Sequence, residues 1–340
     1  MSSGIIWEGP IYGFTGYARS RSLALELYNL GINVKLNPSF KNRVLIKDFQ
    51  TLEKLENNDI DHNNAVIVKC DVPFKLKRDK KNFSIAYTMF ETSNVDRRWI
   101  IGINEFDRLW VPNKWNKQNF KNSGVTIPID VIPFGVDLDL FTAKKKIKKK
   151  KFTFLFVGVY LERKNWMTLY KVFSEKFKDK KAVELVFKFS GDVDPIKIAE
   201  TDNIKIINEA ISDFELAKLY RESDCIILPS YAEGIGLPIL EGYASGLPAM
   251  FTNAPFFKDF NCEGVSFPIK VSNLTKPSQE FLNINKIYKN SYFYKICEYD
   301  LLDKLNQLID YSDGDKAIEF AGQFSWKKSA AKAIKILDIL

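Results

Sequence analysis

The apolar positions of this chain fall into short unbroken runs separated by glycine, proline and charged residues. The first run is "GIIW" (4–7); a glycine-rich turn, "EGPIYGFTG", leads from it into "YARSRSLALELYNLG", where Leu23, Leu27 and Leu30 recur at helical spacing before Gly31 ends the repeat. A second run, "NVKLNP", follows at once. This strand, helix, strand opening predicts a doubly wound parallel sheet. Further strands are expected at "NAVIVKC" (64–70), "FSIAYTMF" (83–90), "RLWVP" (108–112) and "IDVIPFG" (129–135). Continuous rather than alternating runs are what strands buried on both faces require.

The lysine run "KKKIKKKK" (144–151) interrupts this pattern, and "FTFLFVG" (152–158) starts a second series. Strands are expected there at "ELVFKFSG" (184–191), "NIKIINEA" (203–210), "CIILPS" (225–230) and "LPAMFTN" (247–253), with "DFELAKLYRES" among the intervening helices. The tail "SWKKSAAKAIKILDIL" has apolar residues at 330, 333, 334, 336 and 337 and reads as a helix. The expected organisation is a Rossmann-like domain over 1–148, a second Rossmann-like domain over 149–322, and a closing helix over 323–340, a candidate to cross back to the first domain. Two α/β domains with parallel sheets facing across a cleft are the fold class this implies. No short internal period points to a solenoid.

Composition adds limits. At 340 residues, with 46% hydrophobic and 27% charged, the chain is ordinary globular material with room for two cores. No stretch approaches 18 uninterrupted apolar residues, and "MSSGIIWEGP" lacks the basic flank and apolar centre of a secretion signal, so a cytoplasmic protein is expected. Cys70, Cys225, Cys262 and Cys297 are widely spaced and the one histidine, His62, sits in a polar stretch, which argues against a zinc site or a disulfide framework. The net charge of +8 is concentrated in the run at 144–151 and in "KLKRDKK" (75–81). Both are lysine-rich and neither is interleaved with aromatics, which suits a solvated surface or peripheral contact with an anionic membrane and argues against nucleic acid.

Candidate chemistry lies in "YAEGIGLPILE" (231–241), which places Glu233 and Glu241 eight positions apart around a glycine pair and a proline. A strand delivers the chain to a helix start there, so backbone N–H groups of Gly236 and Leu237 can face an anion, and Pro238 opens the helix without wasting a donor. Glycosidase carboxylates stand roughly 5 to 9.5 Å apart, whereas eight helical residues span about 12 Å. The spacing instead suits a sugar, a diphosphate and a ribose laid along the turn. Cations for a diphosphate are available in "FVGVYLERKNW" (156–166), where Arg163 and Lys164 follow a strand that ends near Gly158. That is the carboxyl edge of the sheet, where α/β folds bind ligands.

Taken together, "FVGVYLERKN", "SDFELAKLYRESDCIILPSYAEGIGLPILEGYASGLPAM" and "FSW" (324–326) resemble the retaining glycosyltransferases of family 4, which share the GT-B fold. "GFTGYARS" is similar to that family's glycine-rich first loop, and 105–137 to its approach to the linker. The resemblance implies that Glu233 meets hydroxyls of the transferred sugar and that Arg163 and Lys164 neutralise the donor diphosphate. It implies donor contacts for Glu241, on the ribose, for Gly234, Ile235, Gly236 and Leu237, for Ile211 at the base, and for Gly16 from the opposite domain. Where the family often has a His-Asp step near the sugar, this sequence has Phe90 and Glu91, which become candidate acceptor or sugar contacts.

The activity implied is metal-independent transfer of a hexosyl unit, with retention, from a UDP- or GDP-linked sugar to a hydroxyl of a saccharide, lipid-linked or protein acceptor in glycan, polysaccharide or glycolipid synthesis. The sugar nucleotide is a substrate and no cofactor is expected. Closure of the domains about the lysine-rich hinge would exclude water. A non-catalytic module that binds a nucleotide sugar or an anionic surface is the rival from another class. A dinucleotide oxidoreductase fits less well, since Gly9, Gly13 and Gly16 do not form G-x-G-x-x-G.

Overall fold

The computed structural model describes residues 4–12, 18–39, 48–143, 151–190, 198, 200–309, 311 and 314–337. Gly16 and lysines 144–150 therefore lie outside the described residues. The chain forms two compact units, one of Met1–Gly135 with Phe324–Leu340 and one of Val136–Gln323.

The first unit runs β1 (Gly4–Gly9), α1 (Ala18–Asn29), β2 (Val34–Pro38), α2 (Phe49–Glu56), β3 (Ala65–Cys70), β4 (Ser84–Tyr87), α3 (Arg97–Ile103), β5 (Arg108–Val111), α4 (Lys114–Asn122) and β6 (Ile129–Val131). Its six strands are all parallel, in the order β2-β1-β3-β4-β5-β6, so strand order reverses at β1 and β3. Trp7, Ile67, Tyr87 and Trp110 are buried along the middle of the sheet, and Tyr87 packs edge-on to Trp7 and Trp110.

The second unit runs β7 (Phe152–Val159), α5 (Trp166–Phe177), β8 (Val183–Ser190), β9 (Ile204–Ile207), α6 (Asp213–Arg221), β10 (Cys225–Leu228), α7 (Leu237–Ala244), β11 (Ala249–Thr252), β12 (Ser266–Ile269), β13 (Val271–Thr275), α8 (Gln279–Ile284), β14 (Phe293–Ile296), α9 (Glu298–Leu308) and α10 (Asp315–Ala321). The main sheet is again six parallel strands, ordered β12-β11-β10-β7-β8-β9. Its reversal falls between β7 and β10, the place where open α/β sheets receive ligands. A phenylalanine-rich core, including Phe154, Phe156, Phe173, Phe177, Phe187 and Phe189, fills one face. Each such ring contributes on the order of 1.5–3 kcal/mol by leaving water.

The last helix, α11 (Trp326–Leu337), belongs to the first unit, where it packs on α1 and sets Trp326 against Phe134 at 5.7 Å between ring centroids.

Three expectations change. The boundary proposed at 148/149 lies inside the second unit, because Phe141 is buried there edge-on to Tyr220 and Leu140 O accepts from Arg221. Several strands end earlier than their apolar runs, β4 at Tyr87 and β6 at Val131, where the chain turns away at polar or proline residues. Finally, β12 and the antiparallel β13–β14 pair were not expected. In β12, Pro268 interrupts the apolar signal and is tolerated because the strand is at the sheet edge.

Candidate active site

β7 and β10 pair side by side, and the loops that leave their carboxyl ends build the site. After β7, Glu162–Lys164 forms one turn of 3₁₀ helix, which Asn165 ends in the left-handed conformation (φ 53°) as it starts α5. Asn165 is buried and its Nδ2 donates to Pro229 O at 3.0 Å, so the residue that reverses the first loop also ties it to the second. Tyr231 N–H donates to Arg163 O at 2.8 Å, and Arg163 Nη1 to Ala232 O at 3.3 Å. The two loops thus hold each other through one main-chain bond and the side chains of Asn165 and Arg163.

The cations of Arg163 and Lys164 converge on Glu233. Its carboxylate pairs with Lys164 Nζ, accepts from Ser230 Oγ at 2.8 Å, and lies 3.6 Å from Arg163 Nη1. Glu233 is 4% exposed and Lys164 8%. Burial alone would raise the carboxyl pKa, but the ammonium of Lys164, the guanidinium of Arg163 and the hydrogen bonds from Lys164 and Ser230 outweigh it and hold the group below its usual value. Glu233 is therefore an ionised acceptor at neutral pH, and two cations stand fixed beside it.

The turn that follows depends on Gly236. It adopts φ 80°, and a Cβ there would come within 2.5 Å of the Phe257 ring. Helical bonding in α7 starts with Ile239 N–H on Gly236 O, so the N–H groups of Gly236 and Leu237 precede the ladder, while Pro238 has none. Gly234 and the buried Ile235 complete the bend. Gly242, on α7, lets the helix lie directly on β10, since a Cβ would meet Ile226 at 2.5 Å.

Glu241 projects from the same helix. Its Oε2 accepts from the hydroxyl of the fully buried Tyr220 at 2.7 Å. Burial raises the Glu241 pKa to about 7; the Tyr220 hydrogen bond works against that rise and the charge of Asp213 adds to it. Ile211 lies just ahead of α6, whose start is fixed by a capping box of Ser212 and Glu215.

The structure thus brings Arg163, Lys164 and Glu233 into one cluster, with Gly234, Ile235, Gly236, Leu237 and Glu241 continuing along the same segment. In the first unit, Phe90 is buried edge-on to Trp99 with ring centroids 5.5 Å apart, so its ring is a packing element, whereas the neighbouring Glu91 keeps partial exposure. His62 is exposed at the start of a 3₁₀ turn. Among the described residues no cluster of three or more His, Cys, Asp or Glu is arranged to hold a metal ion.

Sequence reasoning missed Ser230, Asn165 and Tyr220. Tyr220 could have been found from the helical stripe of Leu216, Ala217 and Tyr220 that α6 turns inward. The partners of Ser230 and Asn165 depend on how two distant loops meet, which no local pattern records.

The chain is similar to known glycosyltransferases. Residues 139–291 match the family model described as glycosyl transferases group 1. A putative glycosyltransferase of Acidianus bottle-shaped virus (isolate Italy/Pozzuoli) is 27% identical over 212 residues, covering 61% of this chain and 58% of that protein. A D-inositol 3-phosphate glycosyltransferase of Arthrobacter sp. (strain FB24) is 29% identical over 141 residues, 36% of this chain and 34% of the relative. The matches therefore span less than two thirds of either relative. The structure of sucrose-phosphate synthase from Thermosynechococcus elongatus matches over 98% of both chains with a TM-score of 0.69 at 14% identity. That is a likeness of fold, and it bears out the expected GT-B architecture of two Rossmann-like halves.

Proposed function

From the match of residues 139–291 to the model of the glycosyl transferases group 1 family, we propose that this chain is a glycosyltransferase that moves a hexosyl unit from a nucleotide diphosphate sugar to a hydroxyl acceptor, keeping the anomeric configuration. The observation that carries this reading is the buried cluster of Lys164, Arg163 and Glu233 at the strand-order reversal of the second sheet. Cations anchored there suit a diphosphate, and an ionised carboxylate beside them suits the hydroxyls of the sugar attached to it.

In the proposed reaction the bond between the anomeric carbon and the diphosphate oxygen breaks and its electrons stay with the leaving group. Negative charge grows on that oxygen, where Arg163, Lys164 and the amides of Gly236 and Leu237 stabilise it more strongly than in the bound donor. The acceptor oxygen bonds the same face of the anomeric carbon, and its proton passes to the departing phosphate. Glu233 holds the sugar through its hydroxyls, and Glu241 receives the ribose. The reaction needs no metal because the fixed cations meet the developing charge. Gly16 and Ile211 serve as further donor contacts in this account, and Glu91 as an acceptor contact. The product enters glycan, polysaccharide or glycolipid synthesis, in the cytoplasm or at its membrane surface. Among the described residues no helix is long and apolar enough to cross a membrane.

The test is to incubate the full chain with UDP- and GDP-sugars and a panel of saccharide and lipid-linked acceptors. Release of nucleoside diphosphate that depends on acceptor, with product of the donor's anomeric configuration, supports the proposal. Binding of the donor, seen as raised thermal stability, with no release across the panel would replace it with a binding module.

A further inference from the structure

The segment between β12 and α9 belongs to neither six-stranded sheet. β13 and β14 pair antiparallel, with α8 and the turn Lys286–Tyr288 joining them. Its inner side is an apolar seat: Phe293 lies 5.6 Å from Phe281 and stacks at 5.8 Å on Tyr231, and Tyr288 is buried beside Phe281. Two anchors fix it to the loops of the site. Ser278 donates to the Glu162 carboxylate through both its N–H, at 2.9 Å, and its hydroxyl, and Tyr294 N–H donates to Tyr231 O at 2.9 Å.

The outer side is unlike the rest of the unit. Leu274 is 53% exposed, Ile284 81%, Ile287 37% and Tyr292 41%. Elsewhere in the second unit the exposed large apolar residues are Met167, Phe214 and Tyr299 among the described residues. Interleaved with the four are exposed Lys276, Lys286, Lys289 and Lys295, none ion-paired among the described residues, and Lys276 Nζ sits 3.8 Å above the Tyr292 ring. Between 264 and 297 the one acidic residue is Glu280, and there is no arginine.

We propose that this outer face of the β13–β14 module is a docking surface for an anionic lipid bilayer. Concentrated exposed apolar side chains mark an interaction site. Exposed apolar tips with exposed lysines close by in the chain, Lys276 lying over Tyr292, match the requirement at a headgroup boundary, where Ile, Leu and Tyr enter the interface and flexible ammonium groups meet lipid phosphates. A protein partner is the poorer fit, because protein interfaces are depleted in lysine and enriched in arginine. The proposal does not depend on the transferase reading: it uses neither Lys164 nor Glu233 and is tested without donor.

The experiment is co-sedimentation of the full chain with vesicles of phosphatidylcholine, with or without phosphatidylglycerol. The expected result is binding that needs the anionic lipid and weakens at high salt. Each lysine at such a surface is worth about a factor of five, so Lys286→Glu with Lys289→Glu should weaken binding by about 25-fold or more. Ile284→Ser with Ile287→Ser should weaken it about tenfold while the salt dependence persists. Unchanged melting temperatures confirm that both variants fold. Equal binding to both vesicle types, binding unaffected by either pair of changes, or binding lost only when Lys75 and Lys77 are replaced would overturn the proposal. So would an absence of vesicle binding accompanied by capture of an acidic protein.

Discussion

The two units share one plan, six parallel strands flanked by helices, yet they secure the loops above the sheet with different chemistry. In the first unit three buried or half-buried pins are neutral. Asn116 Oδ1 accepts from Phe90 N–H at 2.9 Å, Asn119 Nδ2 donates to Thr92 O at 2.8 Å, and Thr88 Oγ1 donates to Asp71 O at 2.7 Å. In the second unit the corresponding place holds buried Lys164 and Glu233, with Arg163 alongside. Neutral amides bonded to backbone fix a loop at small cost, whereas a buried ion is destabilising by several kcal/mol unless it is paired. The first unit has ion pairs too, Lys69 with Glu8 and Arg78 with Asp107, but both are partly exposed. Buried ions above β7 and β10 are what the proposed diphosphate site calls for.

The largest effect that sharpens this contrast is expected from Lys164→Ala. It removes one of two cations from a leaving group and strands Glu233 in a buried site, so turnover should fall about 10²–10³-fold and stability by about 3–5 kcal/mol. Donor turnover and denaturant unfolding measure the two separately. Arg163→Ala should lower turnover by one order or more with less unfolding, because Lys164 still neutralises the carboxylate. If both variants turned over like the parent, the charged cluster would be mere scaffolding, like the asparagines of the first unit.

A second effect is expected at Gly236→Val. The left-handed backbone and the Phe257 ring both oppose a side chain there, which should cost about 2–4 kcal/mol and shift the melting temperature accordingly.

Third is pH. The Glu241 pKa of about 7 means that its carboxyl ionises between pH 6 and 8, so nucleotide affinity should rise over that interval as the acceptor for ribose hydroxyls forms. Because the folded pKa lies above the ordinary carboxylate value, the stability contributed by this group is present below about pH 4.5 and lost as pH rises through about 7. Glu233 has the opposite sign: its pKa is lowered, so its contribution is present above the usual carboxylate range and lost in acid. Tyr220→Phe removes the bond that restrains the Glu241 rise and should move the affinity profile to higher pH while leaving kcat at high pH intact. Calorimetric titration of nucleoside diphosphate at several pH values checks this.

The smallest effect is expected in the first unit. Asn119→Ala leaves Thr92 O without its amide partner and should destabilise by about 1–3 kcal/mol, with nucleotide affinity unchanged. A large loss of donor binding in that variant would erase the distinction between the two edges.

The contrast also explains what the sequence could reveal. The parallel strands were legible because each is a continuous apolar run, Ala65–Cys70 or Phe152–Val159, set between polar breaks. Arg163, Lys164 and Glu233 were legible because each sits where a strand run ends. The β13–β14 pair was not, since "VSNLT" is largely exposed and polar and draws its stability from Phe281, Phe293 and Tyr231, which are far apart in the chain. The boundary was misplaced for a related reason. A lysine run is conspicuous, but the chain changes unit earlier, at Val136, and Phe141 then packs edge-on to Tyr220 of the second unit.

The most direct test of the central claim separates phosphate from nucleoside. Once the thermal-shift panel has identified the preferred base, the affinities of the nucleoside and its diphosphate are compared in the parent chain and in Arg163→Ala. The account predicts that the diphosphate loses at least tenfold in affinity while the nucleoside binds as before; equal affinity of the diphosphate for both proteins would contradict it.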